Sequence, residues 1–480
     1  MRKVISLIIA AMAIQTPAVP QVRYDLVIQT GRVMDPETGL DAVRNVGILG
    51  NTIARITSEP LQGARLIDAR GLAVAPGFIE LFQHAHDPES YRLNALDGAT
   101  SSLDLEVLDG AVLNTKEFAG HALLNYGTSA GHGAARQTVF DASTRASVSP
   151  EVRPSRVEPA TPQQLARLRN LVQHDLDGGA IGISLLTWPG ISRYEVIEMF
   201  RLAAERQSIV FARPRSRGKV EPGSSVEAIG EIIGAAAITG ATTHIIHVHM
   251  FGLSDTREVL GMIDGARARG LNITADARPY RCYSADISRR NDLFQPGRRV
   301  RLGLDYADLK VEGQLLTKEQ FERLNASAEP HRAVACWMPQ EMVDIAIVHP
   351  NIMISGHATK DGPQTAGTFA RVIAQYVRSE RRMTLMDALR KMSLMPAQLL
   401  EPTAPAARAK GRLQEGKDAD IVVFDPETIA DHATEEKPTE PSVGVKYLVV
   451  AGTLVIQEGK IVPKITPGRA IVAQSASGRP

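Results

Sequence analysis

The middle of the chain alternates short apolar runs with segments of helical periodicity, and this alternation limits the fold more than any other feature. The strand-like runs are FIELFQ, TSSLDLEV, GAIGISLL, SIVFARP, THIIHVHM, LNITADARP and NIMISGH. Helical segments such as VIEMFRLAAERQ and REVLGMIDGARARG lie between them. Strands that alternate with helices are typical of βαβ units and a parallel sheet. We therefore predict an α/β protein with a (β/α)8 TIM-like barrel over residues 76–410.

The two ends of the chain have a different pattern. Short alternating strands with Gly, Asp and Asn turns occupy YDLVIQTGRVMD near the start and VKYLVVAGTLVIQEGKIV near the end. We predict that residues 22–75 and 411–471 build one small β-sandwich beside the barrel, followed by a loose tail at 472–480. Residues 290–330 are charged and irregular, which predicts a long loop near the barrel mouth.

The first 21 residues are typical of a signal peptide. Met1-Arg2-Lys3 precedes a short apolar run, Val4 to Ala13, and then the small residues of TPAVPQ. The alternative is an N-terminal core strand. Removal of the peptide predicts a periplasmic or secreted protein. The two cysteines, Cys282 and Cys336, predict that stability rests on the core rather than on disulfides, and we interpret Cys336 as a small buried apolar residue.

Composition narrows the class of partner. The chain has 480 residues, 44% of them hydrophobic and 22% charged, with a net charge of +1. Lys and Arg form no basic block, so nucleic acid is not a predicted partner. The apolar run at the N-terminus is too short to span a bilayer, and we predict no membrane span in the mature form. A small-molecule substrate is expected, and an oligomer stays open.

His84 and His86 follow the first apolar run of the central region in the sequence FIELFQHAH. Side chains two residues apart on a strand point to one face of the sheet. Imidazole nitrogen is a preferred zinc ligand, so this pair is a candidate half of a metal site.

Several motifs occur together: PGFIE, ALDGATSSLDLEV, GHGAAR, THIIHVH, GTFARV, KMSLMPAQLLE and GRLQEGKDADIVVFD. With them the chain resembles the amidohydrolase superfamily and, within it, the N-acyl-D-amino-acid deacylase (D-aminoacylase)-like branch. The resemblance covers nearly the whole chain after the signal peptide. It implies a barrel that holds one or two divalent metals at the carboxyl ends of its strands. It also implies that metal-bound water attacks an amide and that an aspartate from the last strand moves the proton.

The resemblance also implies which positions carry the site. The strand-one motif PGFIDxHxH aligns its second histidine with His84, and the expected carboxylate and later histidine fall on Glu106 and His247. Four other expected positions hold different residues: Phe82 for the first histidine, Arg213 for the strand-five histidine, Gly356 for the aspartate and Gln364 for a substrate-binding arginine. The predicted site is therefore reduced or displaced.

Replacement groups remain open on the sequence alone. His86 and His249 each lie two residues beyond a retained histidine, and His357 directly follows Gly356. Each could act as a replacement ligand or base, with His357 the candidate for the catalytic position. The alternative is that they are loop residues, and that His84, Glu106 and His247 are hydrogen-bonded core residues.

Arg213 decides how many metals we expect. A guanidinium is always charged and has no acceptor, so it cannot ligate a metal. We predict instead that Arg213 forms an ion pair with Glu106 in place of the metal charge. The expected cofactor is at most one zinc or other divalent ion, and a metal-free site stays open.

Four further residues are candidates for contact with the substrate or for support of the site. His132 and Arg136 belong to the motif GHGAAR, and Tyr280 and Tyr283 belong to RPYRCYS. Packing alone is the alternative for each of them. The other histidines are interpreted as structural or surface residues: His121, His174, His244, His331, His349 and His432.

Two functions follow from different classes of protein. The first is an amidohydrolase-type hydrolase that cleaves a C–N amide bond, such as that of an N-acyl amino acid, at a reduced or displaced metal site. The second is a catalytically degenerate barrel that binds a small molecule or a partner. Metal content of the purified protein distinguishes them.

Overall fold

The structure is a computed structural model of the chain. It describes residues 22–84, 86–107, 115–116, 118–141, 153–288, 306–327, 329, 331–356, 366–434 and 437–474. The predicted signal peptide, residues 1–21, lies outside the described residues. His357 and Gln364 lie outside them as well, so the predictions for these two positions stay predictions.

Nine strands from the two ends of the chain form one sheet, in which β5 pairs antiparallel with β19. The strands are β1 (Arg23–Asp35), β2 (Leu40–Leu49), β3 (Thr52–Thr57), β4 (Gln62–Asp68), β5 (Ala73–Pro76), β19 (Ile421–Phe424), β20 (Val445–Val450), β21 (Thr453–Gln457) and β22 (Lys460–Ile461). The two β-rich ends thus contribute to a single sheet. The domain boundaries given above stay a prediction.

Strand β1 is long because an irregularity divides it between two partners. Its first part pairs with β4 and its second part pairs with β5, and the pairing with β2 shifts register between Ile28 and Gly31. Thr30 has a positive φ of 58°, which turns the strand at this point. A Cβ on Gly31 would lie 2.3 Å from Val74 Cγ2, so only glycine fits where β1 crosses β5.

The central strands are parallel and run in chain order. They are β6 (Phe78–Glu80), β7 (Ala99–Asp104), β8 (Asn125–Thr128), β9 (Ala130–Gly131), β10 (Gly182–Leu186), β11 (Ile209–Arg213), β12 (Thr242–Ile245), β13 (Ile273–Ala277) and β18 (Ile352–Ile354). β8 and β9 are separated by Ser129 alone, so the three-stranded series β6-β7-β8 continues into the six-stranded series from β9 to β18. Every residue of β7 and of β10 is buried, as expected for parallel strands covered on both faces.

Helices follow most of these strands, which gives the mixed α/β class that the sequence predicted. The α-helices are Pro88–Leu96, His132–Phe140, Pro154–Val157, Pro162–Asp177, Arg193–Glu205, Ser225–Thr239, Val248–Gly252, Thr256–Ala268, Lys318–Asn325, Gln340–Val348, Thr368–Arg371, Leu385–Leu389 and Met395–Leu400. Wider π-helical turns at Val372–Ser379 and Arg390–Leu394 continue two of them, and short 3-10 turns occupy Leu253–Asp255, Tyr306–Asp308 and Pro405–Ala409. No helix among the described residues is long and apolar enough to cross a membrane.

The segment that was predicted to be an irregular loop contains ordered structure. Strands β14 (Tyr283–Asp286), β15 (Leu309–Val311), β16 (Gln314–Leu315) and β17 (Arg332–Ala335) form a small antiparallel sheet, which we call the inserted sheet. The prediction of a loop over 290–330 was therefore wrong for residues 306–327. Leu309 and Ala333 of this sheet and Phe321 of the helix Lys318–Asn325 are buried in a separate small core, and each apolar stretch is too short to recognise between charged neighbours.

A disulfide joins Cys282, directly before β14, to Cys336, directly after β17, and so links two neighbouring strands of the inserted sheet. The interpretation of Cys336 as a small buried apolar residue was therefore wrong. The two cysteines lie 54 residues apart in the chain, a separation that gives the sequence no sign of contact. Closing a loop of this length restricts the unfolded chain by about 4 kcal/mol in the chain-entropy estimate.

Candidate active site

The candidate residues meet at the carboxyl ends of the parallel strands, where α/β proteins of this kind hold their sites. His84 lies just beyond β6, Glu106 just beyond β7, Arg213 at the end of β11 and His247 just beyond β12. The backbone amide of Gly356, beyond β18, donates to Glu80 of β6 over 2.7 Å, which brings the first and last strands together.

Glu106 lies at the centre of the site and is almost fully buried. Its Oε1 accepts a hydrogen bond from Arg213 Nη1 over 3.1 Å, so the predicted ion pair is confirmed. Its Oε2 lies 3.5 Å from His84 Nε2 and 3.9 Å from His247 Nε2. One oxygen of the carboxylate thus faces a guanidinium, and the other faces two imidazoles.

Asp104 holds His84 and His86 in place. His84 Nδ1 lies 3.4 Å from Asp104 Oδ1, and His86 Nε2 lies 3.4 Å from Asp104 Oδ2. Burial alone would lower the pKa of His84, but the hydrogen bonds and charges of Asp104 and Glu106 raise it to about 9. His86 Nδ1 lies 3.1 Å from Tyr91 Oη. One ring nitrogen of His86 therefore faces Asp104 and the other faces Tyr91.

Asp276, in β13, fixes His247 from the opposite side. Its Oδ2 lies 2.8 Å from His247 Nδ1, its Oδ1 accepts from the His247 amide over 2.8 Å, and Ser355 Oγ donates to it. His244 also contacts Asp276, over 3.1 Å, so this histidine supports the site. Burial would raise the pKa of Asp276, yet the two histidines hold it far below its usual range. A charged Asp276 accepts a hydrogen bond from the Nδ1–H of His247, which leaves Nε2 directed at Glu106.

His247 has a left-handed backbone with a φ of 48°, which is uncommon for a residue other than glycine. It stands directly before the helix Val248–Gly252, and its amide is held by Asp276. Backbone strain of this kind persists where surrounding contacts fix it, and it concentrates at functional sites.

The residue in place of the first histidine is part of the aromatic packing. The Phe82 ring lies 5.0 Å from the His247 ring in an edge-on arrangement and 5.9 Å from the His244 ring in a stacked one. Phe82 therefore fixes the two histidines by contact, and it offers no ligand atom.

Glu80 occupies the space beside Gly356. Its carboxylate accepts from the amides of Phe82 and Gly356 over 2.8 Å and 2.7 Å, and burial raises its pKa. A Cβ on Gly356 would lie 2.4 Å from Glu80 Oε2. Two neighbouring positions therefore differ from the family pattern. Gly356 stands where the last strand is expected to have aspartate, and Glu80 stands where the strand-one motif PGFIDxHxH has the shorter aspartate.

A second polar group lies beyond His247. His249 is buried, and burial together with the charge of Arg278 lowers its pKa to about 3, so its ring stays neutral. Tyr280 is also buried, and Tyr283 packs against Trp337 with ring centroids 4.5 Å apart. Arg278, between β13 and these tyrosines, is also buried.

His132 and Arg136 form a buried network of their own. Arg136 Nη1 pairs with Glu195 Oε1 over 2.6 Å, and His132 Nε2 lies 2.8 Å from the same oxygen. Arg136 also donates to the backbone carbonyls of Ser155 and Glu158. These contacts join three helical segments and support the packing alternative for both residues.

Four residues of the site were missed in the sequence: Glu80, Asp104, Asp276 and Arg278. Asp104 precedes Glu106 by one strand period in LDLE, and Asp276 ends the strand-like run LNITAD, so both carried a positional signal. Among the described residues, no three His, Cys, Asp or Glu side chains form a ready metal-binding cluster. The ligand roles of His84, His86, Glu106, His247 and His249 stay predictions.

Comparison with known proteins agrees with this arrangement. Residues 355–456 match the amidohydrolase family. The chain is 28% identical to the D-aminoacylase and 29% identical to the N-acyl-D-glutamate deacylase of Alcaligenes xylosoxydans xylosoxydans. These alignments cover 91% and 94% of this chain and 95% and 97% of the relatives.

A solved D-aminoacylase structure superposes with a TM-score of 0.78 at 21% identity, covering 94% of this chain and all of that one. That work concerns a binuclear metal centre with one-metal activation and second-metal attenuation. The chain is thus similar to amidohydrolases in residues 355–456 and, over nearly its whole length, to a D-aminoacylase and an N-acyl-D-glutamate deacylase, which is the branch that the motifs indicated.

Replacing Arg213 should strengthen metal binding. A divalent ion about 4 Å from a guanidinium is repelled by roughly 8 kcal/mol at an effective dielectric near 20. If relaxation halves this, Arg213→Met should raise affinity for Zn²⁺ by about 10³, measured by competition with a chelator. Arg215→Met is the matched control, because Arg215 pairs with Glu231 over 2.7 Å. Equal affinities in wild type and in Arg213→Met would contradict the opposition between guanidinium and metal.

Proposed function

We propose that the protein is a hydrolase that cleaves the C–N amide bond of an N-acyl amino acid at a site with one divalent metal ion. The observation that carries this proposal is the divided environment of Glu106. One oxygen is engaged by Arg213 at 3.1 Å, and the other faces the Nε2 atoms of His84 and His247. The names of the relatives, D-aminoacylase and N-acyl-D-glutamate deacylase, support the substrate class.

The donor set fits one ion of the zinc type. Two imidazoles and a carboxylate are a common catalytic zinc set with a position left for water. Ligand atoms that share a tetrahedral zinc lie about 3.3–3.5 Å apart, from bond lengths near 2.0–2.2 Å. The separations of 3.5 and 3.9 Å from Glu106 Oε2 to the two histidines need only a small adjustment. A second ion does not fit, because Phe82 has no ligand atom and Arg213 is a cation.

The chain's own groups prepare this site in several ways. When bound, the metal lowers the pKa of a water molecule and polarises the amide carbonyl. Asp276 fixes the tautomer of His247, and Asp104 orients His84. Arg213 supplies a second positive charge beside Glu106, which favours negative charge developing on a substrate oxygen.

The proposed site has no side chain at the position where the proton carrier is expected. Gly356 has no side chain, and the space beside it is filled by Glu80. We assign the role to His357, the next residue along the chain. A general acid or base contributes about 10²–10⁴ in rate, so a displaced one implies slow turnover.

We also propose that the central strands form a closed barrel, that the terminal sheet forms a small sandwich, and that the protein is exported. Closure of β6 against β18, supported by the bond from Gly356 N to Glu80, would complete an eight-stranded barrel. The nine-stranded terminal sheet would then fold over itself as the small sandwich. Export is supported by the N-terminal sequence and by the Cys282–Cys336 disulfide, since disulfides persist in oxidising compartments.

A second candidate function is binding without cleavage. It is favoured by the replacements at Phe82, Arg213 and Gly356, and by the described residues forming no ready cluster of three metal ligands. In that case the Arg213–Glu106 pair stands permanently where a metal charge would be. A degenerate protein of this kind would keep affinity for a small molecule and lose turnover.

The two candidates differ in metal content and turnover. We expect about one metal ion per chain by elemental analysis, with slow hydrolysis of N-acetyl-D-leucine, N-acetyl-D-glutamate or N-acetyl-D-aspartate. Glu106→Gln should lose both, because the carboxylate faces both histidines. Glu231→Gln is the control, since Glu231 pairs with Arg215 instead. A metal-free wild type without turnover would support the binding protein.

Restoring the missing groups should require a compensating change at Glu80. The set Phe82→His, Arg213→His and Gly356→Asp supplies the positions of the two-metal pattern, but a Cβ at position 356 collides with Glu80 Oε2. We therefore expect two metal ions per chain only when Glu80→Asp is added to these three. The three changes without Glu80→Asp are the matched control. Two ions in both proteins would show that the Glu80 side chain moves away from position 356 without the Glu80→Asp change.

The N-terminus of the mature protein tests export. If the first segment is a signal peptide, protein from the native host should begin after residue 13 and by about residue 22. Intact-mass spectrometry gives the first residue directly. Detection of Arg2 or Lys3 in the mature protein would exclude cleavage.

A further inference from the structure

A row of arginines and aromatic rings runs from the candidate active site to the inserted sheet. Arg213, which bonds to Glu106, has its guanidinium carbon 5.6 Å from the centre of the Phe251 ring. Arg217 lies 5.6 Å from the same ring and 5.1 Å from the ring of Trp337. Each step is within the range of about 6 Å over which a cation and an aromatic ring attract each other. We call these four residues, Arg213, Phe251, Arg217 and Trp337, the arginine–aromatic row.

The far end of this row is tied to the disulfide. Trp337 directly follows Cys336 in the chain, and Tyr283 directly follows Cys282. The two rings pack with their centroids 4.5 Å apart, and the Arg217 guanidinium lies 5.9 Å from the Tyr283 ring. The disulfide joins the residues that directly precede the two rings, so it limits how far the rings can separate.

The near end of the row is Arg213, whose guanidinium is held by few contacts. Its side chain is 32% exposed, and among the described residues the guanidinium makes one hydrogen bond, to Glu106. The buried ring of Phe251 supplies a second contact, and this ring is shared with Arg217. Contacts that place Arg217 on the ring therefore also limit the space into which Arg213 can turn.

We propose that the disulfide of the inserted sheet holds Arg213 beside Glu106 through the arginine–aromatic row, and so sets how strongly the site opposes a metal ion. The other three members of the row are positioning residues, because they act through Arg213. In the oxidised protein the guanidinium is confined beside the carboxylate. In the reduced protein the ends of the two strands can separate, the row loosens, and the guanidinium can turn to solvent when an ion enters. This inference rests on the proposed function for the presence of that ion.

The switch is a two-electron reduction. Cys336 is half-buried and Cys282 is buried, so a dithiol reductant attacks the sulfur of Cys336 and releases the Cys282 thiolate, which takes up a proton. The second thiol of the reductant then closes on the mixed disulfide and frees Cys336 as a thiol. Two cysteine thiols are formed in total, and the dithiol is oxidised to its own disulfide.

Zinc affinity, measured by competition with a chelator, tests the switch. The double change Cys282→Ala and Cys336→Ala removes the bond without leaving thiols that could bind the ion. If the guanidinium turns from about 4 Å to about 6 Å from the ion, and relaxation halves the repulsion, the affinity should rise by about tenfold. Trp337→Leu and Arg217→Met should raise the affinity as well. The conservative changes Trp337→Phe and Arg217→Lys should keep it near the wild-type value, since each retains a ring or a cation.

The same changes in an Arg213→Met background separate an effect through Arg213 from a general loosening of the site. Without the guanidinium the row has nothing to hold, so loss of the disulfide should leave the zinc affinity unchanged in that background. An equal rise in both backgrounds would overturn the proposal, and so would no rise where Arg213 is present. Arg156→Met is the matched control, because the Arg156 guanidinium lies 4.5 Å from the ring of Trp188, outside the row. It should change the affinity in neither background.

A measurement on metal-free protein distinguishes failure of this inference from failure of the proposed function. In protein labelled with 15N-arginine, relaxation of the Arg213 Nε–H group, assigned with Arg213→Met, reports the mobility of the guanidinium. We expect a rigid group in oxidised wild type, and a mobile one in the double alanine variant and in wild type treated with dithiothreitol. The Nε–H of Arg136, which pairs with Glu195 over 2.6 Å, should stay rigid in all three. Equal rigidity of Arg213 in all three would overturn the proposal. If Arg213 becomes mobile but no variant binds zinc, the link from the disulfide to Arg213 holds and the proposed metal site fails.

Discussion

The structure of the site depends on how one buried carboxylate is shared. Glu106 is held between the guanidinium of Arg213 and the imidazoles of His84 and His247. A buried carboxylate needs positive charge or hydrogen-bond donors around it, and a two-metal centre would supply that charge with ions. Here one side of the carboxylate is compensated by a side chain that stays with the protein whether or not a metal is present.

The substitutions that distinguish this chain from the deacylase pattern are coupled in space. Phe82, at the position where the motif has its first histidine, packs its ring on His247 and His244 and so supports them. Glu80 and Gly356 form a matched pair, because the longer carboxylate occupies the volume that a side chain at position 356 would need. A site that had merely decayed would be expected to leave voids or unmatched groups at these positions. Here the Phe82 ring packs against two histidines, and Glu80 accepts hydrogen bonds from the amides of Phe82 and Gly356.

The mouth of the site is shaped by the segment between β13 and β18. The Cys282–Cys336 disulfide joins the start of β14 to the end of β17 in the inserted sheet. The same stretch carries Arg278, whose guanidinium bonds to the Cys282 carbonyl, and Tyr283, which packs on Trp337. The disulfide thus links the two paired strands that flank these contacts.

The sequence by itself determined the α/β class, the shared sheet of the two ends, and the Arg213–Glu106 pair, because strand periodicity and aligned strand ends fix which side chains point to one place. It also carried the resemblance to the amidohydrolase superfamily, through motifs spread over nearly the whole chain. Only the tertiary structure decided the contacts that join distant segments. The Cys282–Cys336 bond, the collision between Glu80 and position 356, and the burial of Arg278 without a carboxylate partner among the described residues each depend on three-dimensional packing. No local pattern encodes the distances between these segments, so these three features could be found only in the folded chain.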